Sequence, residues 1–349
     1  MGSTKTETSK PQGETLALNN YSGDHAPTTG FLSYLPLSWI PYIQLARLSP
    51  PAGLFLIYFP HVFGFMHAAL HLSTPVPDIL RAGAVLFGGS FFVSNAIHIW
   101  NDLIDAPLDA LVTRTKNRPI PRGAVSPTAA LIYTATQAIG AALFLPLFPH
   151  SHAWLYALPS ILGWTYYPYA KRHTNYPQVV LGLCLAWGVV MGELSLGVEA
   201  ISFPTGFSVE TLLTGELHLN PAILSLVAAN TLWTVIYDTV YAHQDVEDDL
   251  KAGIKSIAVL WRQQTKVLLW GSWVALGVLL SYCGYVSNLG FLYYGIAVLG
   301  ATGSLGRMIA QVDLADEQSC WWWFGNGFWL AGGAITAGFA VEYVLQSSA

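Results

Sequence analysis

Nine apolar runs, each near the roughly 20 residues a helix needs to cross a bilayer, divide this chain at about 52–71, 80–100, 128–148, 152–169, 178–198, 221–241, 267–285, 290–308 and 323–345. The run at about 152–169 is short and interrupted by proline. The expected fold is therefore all-α, a polytopic membrane bundle of eight or nine transmembrane helices. Composition agrees, with 53% of the 349 residues hydrophobic and only 10% charged, a balance outside that of ordinary soluble enzymes.

The cations give this drawing an orientation. Of the 15 Lys and Arg, only Arg81 falls on one side when the runs alternate across the membrane. By the positive-inside rule the other side is cytosolic, and the C-terminus lies opposite. Residues 1–35 are polar and read as a flexible tail ahead of one membrane domain, 36–349. That tail has no Arg and carries Glu7, Glu14 and Asp24, unlike a mitochondrial transit peptide, so the expected location is the endoplasmic reticulum. Cys184, Cys283 and Cys320 lack metal or disulfide spacing and are assigned to the core.

In so apolar a chain, charged clusters need a reason. "NDLIDAPLDALVTRTKNRPIPRG", Asn101 to Gly123, places Asp102, Asp105 and Asp109 at i, i+3 and i+7, on one helical face beside Asn101. "YDTVYAHQDVEDDLKAGIKS", Tyr237 to Ser256, places Asp238, Asp245 and Asp249 at i, i+7 and i+11, with Tyr241 between them and Glu247 and Asp248 off the face as solvated residues. Adjacent carboxylates repel, so such faces are better explained as divalent-cation sites. Mg²⁺ takes a few carboxylate oxygens together with phosphates and water. Arg114, Lys116, Arg118 and Arg122 follow the first cluster and Lys251 and Lys255 the second, suited to the phosphate oxygens that the metals leave uncovered. Pro119 and Pro121 make the first loop turn-rich. Two matched clusters on one side predict a metal–diphosphate cavity.

These residues resemble the UbiA superfamily of intramembrane prenyltransferases. NDxxDxxxD appears as Asn101, Asp102, Asp105 and Asp109, and DxxxxxxDxxxD with YAxxD as Asp238, Tyr241, Ala242, Asp245 and Asp249. A third block, "YPYAKRHTNYPQVVLGLCLAWG", carries Tyr167, Lys171 and Arg172 at the family's spacing. The wording is most similar to the 4-hydroxybenzoate polyprenyltransferase branch. That branch's Arg-x-Asp/Asn-Lys-Pro is replaced here by Arg47-Leu48-Ser49-Pro50-Pro51, a departure that points to a changed acceptor and to fungal relatives acting on polyketide-derived phenolic acids in meroterpenoid biosynthesis.

The resemblance implies a lipid-open central cavity under a cytosolic polar cap. It implies two Mg²⁺ ions held by Asn101, Asp102 and Asp105, with Asp109 in support, and by Asp238, Asp245 and Asp249. Lys171 and Arg172 would grip diphosphate, Arg47 would meet an acceptor carboxylate, and Trp100, Tyr167 and Tyr241 would face an allylic carbocation. His98 and His243 adjoin the motifs but are left out of the catalytic set. Glu193, a costly intramembrane carboxylate, is expected to face the cavity. The expected partners are an isoprenyl diphosphate donor, farnesyl by preference, an aromatic acceptor and the bilayer, with no nucleic acid; oligomeric state is left open. The alternatives are a ubiquinone-pathway 4-hydroxybenzoate polyprenyltransferase, a UbiA-like terpene cyclase, and a cation transporter. The last is disfavoured because both clusters sit at helix ends rather than at the bilayer midplane.

Overall fold

Proline and small polar caps set where the helices begin in the computed structural model, which describes residues 31–49, 51–202 and 218–348. Ser126 Oγ accepts the Ala129 N–H ahead of Pro127, and Asn220 Oδ1 accepts the N–H groups of Ala222 and Ile223 around Pro221. Each pairing satisfies donors that a helix start leaves open. The helices are α1 (Ile40–Leu45), α2 (Ala52–Leu72), α3 (Val76–Asp109), α4 (Pro127–Ala142), α5 (Ala153–His173) and α6 (Pro177–Ser195). A two-residue antiparallel pair, β1 (Ile201–Ser202) and β2 (His218–Leu219), precedes α7 (Pro221–Ala242). Then come α8 (Val246–Ala252), α9 (Ile257–Trp261), α10 (Thr265–Val286), α11 (Phe291–Tyr293), α12 (Leu299–Gln311) and α13 (Glu317–Ser348). The expected tail lies outside the described residues up to residue 30, and Phe31–Tyr34 form a 3-10 turn.

Among the described residues, seven segments are long and apolar enough to span a membrane. The 21-residue α5, carrying Pro159 and Pro168, and α11–α12, joined by a π-helical turn at Tyr294–Val298, are two further long helical segments of the bundle, less apolar than those seven. The chain is a multi-pass membrane protein. Its outer surface is apolar: Ile132, Ile139 and Leu143 on and just after α4 are each at least 60% exposed, which suits lipid rather than water. At the centre α2 and α7 each pack against both α6 and α13. Glycine sets the closest crossing, because a Cβ on Gly64 would stand 2.1 Å from the Val189 carbonyl oxygen and one on Gly192 2.3 Å from that of His61. The small residues of α6 thus serve helix contact. All three cysteines are free and buried, as expected.

Candidate active site

The helix ends bearing the two acidic motifs meet at one end of the bundle. There they enclose a cavity of about 210 Å³ that also takes in the starts of α2, α6 and α13 and the end of α5. α3 continues to Asp109, so Asp102, Asp105 and Asp109 share one face, exposed by only 2%, 2% and 8%. The second cluster departs from the expected continuous helix. α7 stops at Ala242, and a 3-10 turn, His243–Asp245, leads into α8. Asp238, Asp245 and Asp249 nevertheless all line the cavity.

Most of the acidic groups hold cations of the protein. Asp102 lies behind the cavity wall, bound by Arg47 Nη2 at 3.0 Å and Arg118 Nη1 at 3.1 Å. Arg118 also reaches Asp109 at 2.8 Å. Burial works against the Arg118 charge, yet Asp102 and Asp109 hold the guanidinium above its ordinary value. Lys171 Nζ meets Asp105 at 2.6 Å. Arg114 donates twice to Asp245, from Nη2 at 2.5 Å and Nε at 2.8 Å, and once to the Tyr241 hydroxyl at 3.0 Å. Arg47 occupies the left-handed region at φ 51°, a conformation costing roughly 1–3 kcal/mol outside glycine. It is tolerated where the Asp102 ion pair anchors the turn into α2.

Three oxygen-bearing groups are different. Asn101 Oδ1 is buried without a hydrogen-bond partner, and among the described residues the carboxylates of Asp238 and Asp249 carry no hydrogen bond or ion pair. All three residues line the cavity. Buried acceptors are normally satisfied, so open oxygens converging here fit a hard cation.

The remaining expected residues divide. Tyr167, Tyr241 and Lys255 line the cavity, while Trp100 turns its indole N–H to the Thr165 carbonyl at 3.2 Å. Arg172 binds the Ile104 and Pro168 carbonyls, each at 2.9 Å, and touches Asp105 at 3.5 Å. Lys116 is exposed away from the cavity, and Lys251 pairs with Asp248 at the surface. Asp248 is more than a solvated group, since its carboxylate accepts the Thr113 N–H at 2.9 Å and ties the two motif loops together. Lys171 lies over the Tyr167 ring and Arg114 over Tyr241, at 5.4 and 5.1 Å.

Sequence reasoning missed three contributors. His98 lines the cavity and donates from Nδ1 to the Ser94 carbonyl at 2.7 Å, which leaves Nε2 as a lone-pair acceptor with no partner among the described residues. Trp321 and Phe324, from the "WWWF" start of α13, pack on Tyr241, Phe324 with ring centroids 4.5 Å apart. Glu193, expected to face the cavity, instead sits fully buried against His67, 2.5 Å from its Nδ1. His67 Nε2 continues to Ser287 Oγ at 2.9 Å.

Comparison with known proteins now decides the family. The model of the UbiA prenyltransferase family matches residues 57–332. The chain belongs to that family. This prenyltransferase is 33% identical to the mitochondrial 4-hydroxybenzoate polyprenyltransferase of Saccharomyces cerevisiae, over 90% of this chain and 80% of that one. It is equally 33% identical to prenyltransferase stbC of Stachybotrys bisbyi, over 91% and 92%. Among solved structures, a UbiA homolog from Aeropyrum pernix K1 shares the fold with TM-score 0.62 and 21% identity, over 83% of this chain and 97% of that one. A UbiA homolog from Archaeoglobus fulgidus bound to GPP and Mg²⁺ gives TM-score 0.56 and 16% identity, over 88% and 100%.

Proposed function

We propose that this enzyme catalyses Mg²⁺-dependent transfer of an isoprenyl group, farnesyl by preference, from its diphosphate to a ring carbon of a phenolic, polyketide-derived acid in fungal meroterpenoid biosynthesis. We place it in the endoplasmic reticulum membrane with the cavity facing the cytosol. The observation that carries this reading is the convergence of both acidic motifs with Arg114, Arg118 and Lys171 on one cavity. The likeness to stbC and to the "Prenytransferase ascA" of Acremonium egyptiacum supports it, as do the GPP and Mg²⁺ in the archaeal relative.

Asn101, Asp238 and Asp249 would offer the open oxygens for the ions, with Asp105, Asp109 and Asp245 completing the set and Asp102 supporting it from behind the wall through Arg47 and Arg118. Bound Mg²⁺ supplies charge stabilisation to the departing diphosphate. Five cations, Arg47, Arg114, Arg118, Lys171 and Lys255, line the cavity beside five aspartates, Asp105, Asp109, Asp238, Asp245 and Asp249, so a polyanionic donor would need divalent cations to balance its charge. When the donor binds, Arg114 and Lys171 pass from Asp245 and Asp105 to phosphate oxygens, which frees those carboxylates. Departure of diphosphate breaks the allylic C–O bond, and Tyr241, Phe324 and Trp321 wall the cation from water. Arg47 takes the acceptor carboxylate and His98 Nε2 accepts from its hydroxyl, which activates the ortho carbon. The new C–C bond forms there, and the ring proton leaves to an aspartate or to diphosphate.

The test offers membranes containing the chain farnesyl and longer diphosphates against 4-hydroxybenzoate and an orsellinic-type acid, with products read by mass spectrometry. The proposal expects farnesylated orsellinic-type acid. Preference for 4-hydroxybenzoate with long donors would assign the enzyme to quinone biosynthesis instead, and a cyclised hydrocarbon without acceptor would make it a terpene cyclase.

A further inference from the structure

At the end of the bundle opposite the cavity, His150 and His152 precede α5, and Glu199 follows α6. One ligand atom from each lies within 4.8 Å of the others. His152 Nε2 is 3.3 Å from Glu199 Oε1, and His150 Nδ1 is 3.9 Å from the same oxygen. The second nitrogen of His150 settles its tautomer: Nε2–H donates to the Gly197 carbonyl at 3.2 Å. That carbonyl is presented by a turn at φ 90°, which glycine allows. In the neutral ring Nδ1 therefore holds a lone pair, and it faces a carboxylate oxygen beyond hydrogen-bond reach. Two acceptors aimed at one another are unfavourable unless a proton on the ring or a metal cation lies between them, and a metal cation satisfies His150, His152 and Glu199 together.

We propose that His150, His152 and Glu199 form a transition-metal site, Zn²⁺ being the ion its chemistry fits best. Imidazole pairs select such ions over Mg²⁺, so this site is chemically separate from the aspartate cavity. Tetrahedral Zn²⁺ with bonds of roughly 2.0–2.2 Å needs ligand atoms roughly 3.3–3.5 Å apart. The His152–Glu199 edge already has that length, and the half-exposed rings close the others by side-chain rotation. A ligating histidine that gives its other N–H to a backbone carbonyl is the usual supporting arrangement, and His150 has it. Three protein ligands leave a fourth position for water. The ion would fasten the turn before α5 to the turn after α6, and so brace the α5–α6 pair whose other end carries Lys171.

The test is Zn²⁺ binding to tag-free, full-length protein in detergent, by competition with a chromophoric chelator in millimolar Mg²⁺. The expected result is one Zn²⁺ per chain, affinity reduced about 10–100-fold or more in His150→Ala and in Glu199→Gln, and no reduction in Asp249→Asn. The thermal midpoint should rise with Zn²⁺ in the wild type and not in His150→Ala. Equal binding in wild type and His150→Ala, or no binding in the micromolar range, would overturn the proposal and leave the histidines as plain partners of Glu199.

Discussion

Replacing Arg118 by methionine tests whether the buried ion pairs hold the cavity together before substrate arrives. Arg118 Nη1 stands 3.1 Å from Asp102 and 2.8 Å from Asp109, and all three residues are less than 10% exposed. Asp102 keeps Arg47 at 3.0 Å, whereas Asp109 keeps no cation within salt-bridge distance among the described residues. The loss therefore falls on Asp109, left as an unpaired buried carboxylate, and should cost about 3–5 kcal/mol. Adding Asp109→Asn removes that stranded charge and should restore about 2 kcal/mol, so the two changes couple rather than add. Unfolding is measured in mixed micelles with chelator and without donor, so that no metal can neutralise Asp109. An Arg118→Met cost below about 1 kcal/mol, or no recovery in the double variant, would refute the reasoning.

Other substitutions separate folding from chemistry. Asp238→Asn and Asp249→Asn remove carboxylates that no protein group satisfies, so each should leave stability unchanged or raised while turnover falls by about 100-fold or more, read by unfolding and by rate on the same preparations. Gly192→Ala drives a Cβ to 2.3 Å from a backbone oxygen and should cost about 1–3 kcal/mol or more; Gly333→Ala, with nothing within 4 Å, should cost nothing. His98→Phe should reduce kcat/KM about tenfold for a phenolic acceptor and hardly at all for its methyl ether. Equal losses with both acceptors would remove His98 from acceptor recognition.

Most of the spans and the first acidic face were legible because they depend on local periodicity, which a sequence displays directly, whereas the second cluster reaches the cavity from three successive elements rather than one helical face. The break at His243–Asp245 was not legible, since no proline or glycine marks it, and the Asp248 contact with Thr113 just beyond it spans 135 residues. The partners of the carboxylates were hidden for a related reason. Charge order along the chain suggests phosphate contacts for Arg114 and Lys171, but without substrate they neutralise the nearest aspartates. Glu193 was misplaced because its partner, His67, lies 126 residues away, and nothing local signals the pair. His98 was undervalued because its role rests on which nitrogen its own helix occupies, through Ser94 one turn earlier.

The central claim is that both acidic motifs act together on an isoprenyl diphosphate through divalent cations. Its most direct measurement is diphosphate release from farnesyl diphosphate by purified enzyme with a phenolic acid acceptor, with Mg²⁺ or with chelator, for wild type, Asp105→Asn and Asp249→Asn. The account predicts release with Mg²⁺ in the wild type alone, matched by prenylated product. Release in chelator, or undiminished release from either variant, would contradict it.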